Sequence, residues 1–300
     1  MQLPATADWD GESVVQLVAD AVTSPATKRA YARAVRDFLT WYAAQRKPGL
    51  TKATVQRYAA ELAGVGASAA NVNQRLSAIR KLANEAADNG LLDAQTAAAV
   101  ARVRGIRQEG RRAGNWLTRA EAEALLERPD RETLAGRRDR ALLGVLLGCG
   151  LRRREVATLT LEHVQQRDGR WVIVDLVGKR GKVRSVPMPA WCKALVDAWA
   201  HAAGIHGGRL FRPVNKGDRV AGERLSAEGV YHVVRRHAPQ LAPHDLRRTH
   251  AKLAHAGGAP LEQIQIALGH ASVQTTERYL GVEQDLQDAP CDRLGIRVAL

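Results

Sequence analysis

Cysteine is scarce in this 300-residue sequence, and acids are few beside the bases. Cys149, Cys192 and Cys291 stand far apart, with no CxxC pair and no Cys/His spacing suited to a metal. That excludes a disulfide-stapled scaffold and a structural zinc site, and it fits a reducing compartment. Nowhere does the chain approach the roughly 18 consecutive apolar residues of a membrane span. Its opening, MQLPATADWDGE, is acidic and lacks a basic segment followed by an apolar one, so no secretory signal is expected. No acidic cluster suggests Mg²⁺, and no cofactor is expected. The reading is a soluble, cytoplasmic protein with no membrane partner.

What the chain has instead is base. Lys and Arg number 45 against 31 Asp and Glu, giving a net charge of +14 and a pI near 10.3. Such an excess usually faces a polyanion, and nucleic acid is the commonest one. The length allows two domains, each with its own core.

The first hundred residues read as helices only. A short amphipathic helix is expected over Asp10 to Val22. Ser24-Pro25 then opens a longer one, with Tyr31, Val35, Phe38 and Tyr42 on one side and Lys28, Arg29, Arg33 and Arg36 on others. Thr51 opens a helix with an inner stripe of Val55, Tyr58 and Leu62. Ser68 opens another, with Leu76, Ile79 and Ala83 inward, Arg75, Arg80 and Lys81 outward, and a stop at Asn89-Gly90. This is a small all-α domain, 1–101, basic on its outside. From Arg102 to Asn115 the text is RVRGIRQEGRRAGN, a flexible linker whose Arg102, Arg104, Arg107, Arg111 and Arg112 suit a phosphate backbone.

The second domain, 116–285, mixes helices and strands. A capping box at Thr118 to Glu121 starts a helix, and an apolar helix runs from Arg138 to Gly148-Cys149-Gly150. Leu151 to Val156 begins another. Arg170 to Leu176 and Val183 to Met188 read as two strands joined by a hairpin tip at 178–182. Helices follow over Pro189 to Ala202 and from Ser226 to about His237.

The stretch from Pro243 to Tyr279 carries the densest chemistry. His244 and Arg247 are three apart on a helix and share one face. His270 follows the helix-stopping Gly269, and Ser272 caps a last short helix ending near Tyr279. Taken singly, these residues have plain readings too. Arg152 reads as a surface residue like Arg153 and Arg154, Lys179 as a solvated hairpin lysine, and His244 as a helix cap. Tyr279 is harder to dismiss, because Tyr31, Tyr42 and Tyr58 all lie on apolar helix faces. The remaining histidines, among them His237 and His250, are read as ordinary residues.

Five motifs resemble, in order and spacing, those of the tyrosine recombinases, the phage integrase family. They are GLRRRE at 150–155, GKRGKVRSVP at 178–187, HDLRR at 244–248, LGH at 268–270, and Tyr279. The resemblance spans roughly residues 24 to 281. It implies a fold that is mainly α with a small antiparallel β-sheet: an all-α core-binding domain followed by an α+β catalytic domain. It implies that Arg152 and Arg247 hold a scissile phosphate and that Tyr279 is the nucleophile. Lys179 would be the general acid on the leaving oxygen, with Lys182 the rival for that role. His244 would assist as general acid/base, His270 would hydrogen-bond the phosphate, and Glu155 would orient Arg152. The implied function is a site-specific recombinase or integrase that cuts and rejoins double-stranded DNA through a 3′-phosphotyrosyl bond, without metal or ATP. It would work as a homotetramer on paired sites. A type IB-like topoisomerase and a non-catalytic DNA-binding regulator are the alternatives; filled catalytic positions argue against the second.

The residue chemistry agrees with those roles. Two guanidinium forks match the oxygens of a phosphodiester gaining charge, where lysine is only a point charge. A tyrosine of pKa about 10 becomes nucleophilic beside cations that favour its phenolate. Two departures from the family pattern stand out: Arg180 where the hairpin often has glycine, and Arg248 where a histidine is common. The tail 286–300 offers Leu294, Ile296 and Val298 for contact with a neighbouring protomer. A separate arm-site-binding domain ahead of residue 1 is not expected.

Overall fold

The computed structural model describes residues 11–45, 49–107, 115–178, 181 and 183–280, and of Arg278 and Tyr279 it describes the backbone. The chain divides into two compact units, Met1–Arg111 and Arg112–Leu300.

The first unit is helical throughout its described residues: α1 (Gly11–Asp20), α2 (Pro25–Ala44), α3 (Lys52–Gly64), α4 (Ala69–Asp88) and α5 (Ala94–Ala101). The starts follow from local chemistry. Ser24, Thr51 and Ser68 each accept a hydrogen bond from a backbone N–H of the first turn, which satisfies a donor the helix leaves open. α4 is the centre of the unit, with Val72, Leu76, Ile79, Leu82 and Ala83 all buried. Phe38, Trp41, Tyr42 and Tyr58 form one aromatic cluster, with ring centroids 5.0 to 5.9 Å apart. Helix α5 had no counterpart in the sequence reading.

Two arginines expected to point outward are held by the unit itself. Arg75 Nη1 donates to Asp37 Oδ2 at 2.6 Å and to Tyr58 OH at 3.2 Å. Arg80 donates to the carbonyl of Val103. The second bond bears on the expected linker. Val103 is buried among the helices, Ile106 packs against them, and Asn73 bonds both the N–H and the carbonyl of Ile106 at 2.8 and 2.9 Å. Residues 103–106 are thus fastened to α4 and are not flexible, while Arg104 between the anchored positions and Arg102 and Arg107 on either side of them are exposed. Arg111 and Arg112 lie outside the described residues.

The second unit begins with α6 (Arg119–Glu127), opened by the expected Thr118/Glu121 capping box. α7 (Leu134–Cys149) is buried along nearly its whole length and starts earlier than the apolar run suggested. Thr133 caps it, and Asp218 accepts from the N–H groups of Leu134 and Ala135 at 2.7 and 2.9 Å. α8 (Arg153–Thr158) follows, then a sheet of β1 (Val164–Arg167), β2 (Arg170–Val177) and β3 (Val183–Pro187), antiparallel in the order β1-β2-β3. The sequence reading had two of these strands. The third joins β2 through Asp168-Gly169, both at positive φ (49° and 72°), as a two-residue hairpin turn of this twist requires. Helices α9 (Ala190–Ala202), α10 (Ala227–His237), α11 (Pro243–Ala256), α12 (Leu261–Leu268) and α13 (Val273–Leu280) complete the unit.

α11 is fixed twice. Leu117 N–H donates to Thr249 Oγ1 at 2.9 Å in the interior, and His250 Nδ1 donates to the carbonyl of Leu147 at 2.8 Å. Among the described residues, no helix is long and apolar enough to cross a membrane.

Asn73→Ala should free both backbone groups of Ile106, with a loss of about 1–3 kcal/mol in urea unfolding. Amide exchange over 103–106 should quicken selectively, and an unchanged exchange rate there would mean the segment is held by packing alone.

Candidate active site

The site is built where α12 stops. Gly269 takes a left-handed conformation (φ 61°, ψ 46°) and ends the helix, leaving its last carbonyls to be satisfied from outside. Three arginines from three separate elements take three successive ones. Arg184 Nε on β3 donates to Ala267 O at 2.9 Å, Arg247 Nη2 on α11 donates to Leu268 O, and Arg152 Nη2 at the head of α8 donates to Gly269 O at 3.2 Å. The negative end of the helix dipole favours such a gathering of cations.

A single carboxylate completes the arrangement. Glu155 is buried, and its Oε1 accepts from Arg152 Nη1 and Arg184 Nη1, each at 2.9 Å. Its Oε2 accepts from the Arg152 N–H at 2.8 Å and from Arg184 Nη2 at 2.9 Å. Burial pushes the carboxyl pKa up, but the hydrogen bonds and charge of the two arginines outweigh it and bring the value down to about 2.

Arg247 is 1% exposed and Arg152 side chain 33% exposed, so one arginine is set into the wall and the other reaches toward solvent. Arg247 Nη1 also donates to the carbonyl of Gly150 at 2.6 Å. Gly150 is itself left-handed (φ 59°), and a Cβ there would stand 2.6 Å from the His250 ring, so only glycine fits at the end of α7.

Both motif histidines lie within reach of this positive field. His270, half-buried, has its pKa lowered to about 4, first by desolvation and then by Arg247, Arg152, His244 and Arg184. His244 keeps an edge open to solvent. Its pKa is also lowered, by partial desolvation first and then by Arg247 and Arg248, with Asp245 opposing. In both, the lowered pKa favours the neutral imidazole. His270 Nδ1 pairs with Thr276 Oγ1 at 2.9 Å, and Thr276 is fully buried on α13. Leu280 on the same helix joins Ala251, Ile264 and Leu268 in a small cluster. Those contacts dock α13, the helix whose backbone carries Tyr279, onto α11 and α12. Among the described residues, no group of three or more His, Cys, Asp or Glu is placed to hold a metal ion.

The phage integrase family matches residues 115–285, and the phage integrase N-terminal SAM-like domain matches residues 15–90. The chain belongs to the phage integrase family. It is a tyrosine recombinase: the tyrosine recombinase XerC of Pelobacter propionicus is 31% identical over 273 residues, covering 87% of this chain and 86% of the relative. The XerD enzyme of Pseudomonas aeruginosa is 29% identical, covering 87% and 89%. The fold is shared with a XerH recombinase bound to a palindromic difH substrate (TM-score 0.67, 21% identity, 87% of this chain and 77% of that one). It is shared also with a lambda integrase dimer bound to a COC′ core site (TM-score 0.67, 17% identity, 91% and 96%). The mainly helical fold with one small antiparallel sheet is therefore as expected.

In this recombinase the structure brings together Arg152, Glu155, His244, Arg247 and His270. Lys179, its rival Lys182 and Arg180 lie outside the described residues. Arg153 and Arg154 are exposed and take no part, while Arg248 pairs with Asp245 at 3.6 Å. Sequence reasoning passed over Arg184, although it stands inside the GKRGKVRSVP motif, and over Thr276. It also treated His250 as ordinary, whereas its ring backs Gly150 and its pKa is lowered by burial.

Glu155 is ionised in the folded protein down to about pH 2 and in the unfolded chain only above its ordinary 4.5. Its contribution to stability is thus complete above pH 4.5 and disappears as pH falls from there through about 2. Urea midpoints measured across that window should fall less steeply for Glu155→Gln than for the parent. Gly269→Ala would place a methyl 3.0 Å from Arg184 Cδ at a left-handed position. It should cost about 1–2 kcal/mol and slow catalysis together, so a stable and fully active variant would contradict this geometry.

Proposed function

We propose that this recombinase cuts and rejoins double-stranded DNA at specific sites through a 3′-phosphotyrosyl intermediate on Tyr279. The observation that carries the reading is the convergence of Arg152, Arg247 and the two histidines at the end of α12, immediately before the helix that bears Tyr279. Arg152 and Arg247 hold the non-bridging oxygens of the scissile phosphate, and their guanidinium groups are oriented before DNA arrives. The Tyr279 phenolate attacks phosphorus, the bond to the 5′ oxygen breaks, and that oxygen takes a proton from Lys179 on the β2–β3 hairpin. His244 assists proton transfer and His270 hydrogen-bonds the phosphate. The new ester keeps the energy of the broken linkage, so a free 5′ hydroxyl reverses the step and joins the strand without ATP.

The first unit and the basic run at 102–115 supply further contacts to the duplex. Arg102, Arg104 and Arg107 are exposed on a segment anchored at Val103 and Ile106, a placement suited to phosphates; Arg29 is exposed on α2, and Lys28 pairs loosely with Asp20 at 3.7 Å. Arg111 and Arg112 extend the same basic run. Four copies on two paired sites, with 286–300 reaching a neighbouring protomer, would exchange strands in the nucleoid.

A nicked suicide substrate tests the reaction. The parent should form a covalent protein–DNA adduct and Tyr279→Phe none, while Arg247→Ala or Arg152→Ala should slow adduct formation by about 10²–10³-fold. An adduct that persists in Tyr279→Phe removes the nucleophile, and none in the parent removes the reaction. Adduct formation on single sites without exchange between paired sites would remove recombination and leave strand relaxation.

A further inference from the structure

Arg184 makes three directional contacts around the site yet has no part in the chemistry above. Its Nη1 and Nη2 form a two-point fork on Glu155, its Nε takes Ala267 O, and its stem lies against Gly269. It therefore touches both supports of Arg152: the carboxylate that Nη1 reaches and the turn whose carbonyl Nη2 reaches. The oxygens of Glu155 are filled in pairs, each by one bond from Arg184 and one from Arg152. A carboxylate offers about four acceptor positions, so this set is complete. Arg152 can give Glu155 only one guanidinium nitrogen, because Arg184 occupies the place its second would take.

We propose that Arg184 is a positioning residue that keeps Arg152 from folding into a two-point fork on Glu155, and so keeps its guanidinium aimed at the scissile phosphate. The inference rests on the reading that Arg152 holds that phosphate. Removing Arg184 opens two acceptor positions beside Arg152, and the guanidinium turns from the substrate to the carboxylate. Lysine cannot replace it, since an ammonium has no planar fork. Arg184 also stands on the strand that leaves the lysine hairpin, opposite Leu176, so the same contact ties that strand to the arginine cluster.

The test compares single-turnover cleavage of a phosphodiester with that of a methylphosphonate at the scissile position. The methylphosphonate is neutral and lacks one of the oxygens that the arginines meet. Arg184→Ala should cleave the phosphodiester about 100-fold more slowly than the parent, the scale of a displaced catalytic group. On the methylphosphonate the deficit should shrink to about threefold or less. Arg184→Lys, which keeps charge and bulk, should show the same selective loss and serves if the alanine variant fails to fold. Adding Glu155→Gln to Arg184→Ala should cost no more than the worse single change, because both act through one contact. Equal losses on both substrates, multiplicative losses in the double variant, or a parent-like rate would each overturn the inference. A parent that forms no adduct on the phosphodiester would instead overturn the reading of the reaction beneath it.

Discussion

Everything around the site hangs on the end of one short helix. The open carbonyls of Ala267, Leu268 and Gly269 draw in guanidinium groups from β3, α11 and the head of α8, segments distant from one another in sequence. Without those acceptors, three cations would be crowded into a partly buried space with nothing but Glu155 between them. The helix terminus gains partners for groups it cannot satisfy itself, and the arginines gain fixed directions. One shared set of acceptors thus sets the mutual geometry of residues from four motifs.

Two glycines make that geometry reachable. Gly150 ends α7 and Gly269 ends α12, both left-handed, and both are crowded where a Cβ would stand. Gly150 also hands its carbonyl to Arg247, so the glycine two positions before the first motif arginine helps to seat the second. A buried arginine is expensive unless its donors are met. Two nitrogens of Arg247 meet neutral carbonyls, those of Gly150 and Leu268. Arg152 is arranged differently, half committed to Glu155 and a third open to solvent.

Helix starts were the most legible part of the sequence, because a cap is a local event. Ser24, Ser68 and Thr118 each bond a backbone N–H three residues on, and the text shows both partners at once. Features that depend on distant partners were not legible. The strand Val164–Arg167, VQQR, has almost no apolar alternation, and its one local signal was Asp168-Gly169. Ala94–Ala101 is too uniform in small residues to show a face. Val103 and Ile106 were hidden in a run of Arg and Gly, and their hold on α4 comes from distant residues, Arg80 for Val103 and Asn73, thirty-three residues away, for Ile106. Of the candidate site, the motif residues stood out as a set, yet Arg184 did not. Its partners lie 29 and 83 positions off, and nothing beside it in the chain announces either.

The depressed histidine pKa values have a further meaning when charges are counted. Three guanidinium groups set against one carboxylate leave a surplus of two positive charges, and neutral His244 and His270 add nothing to it. A phosphodiester at rest carries a single negative charge, whereas the five-coordinate phosphorus formed on attack by a phenolate carries two. On the proposed chemistry, where Lys179 adds one more positive charge, the pocket is overcharged for its substrate and closer to balance with the transition state, which is the inequality that binding must have in order to become rate.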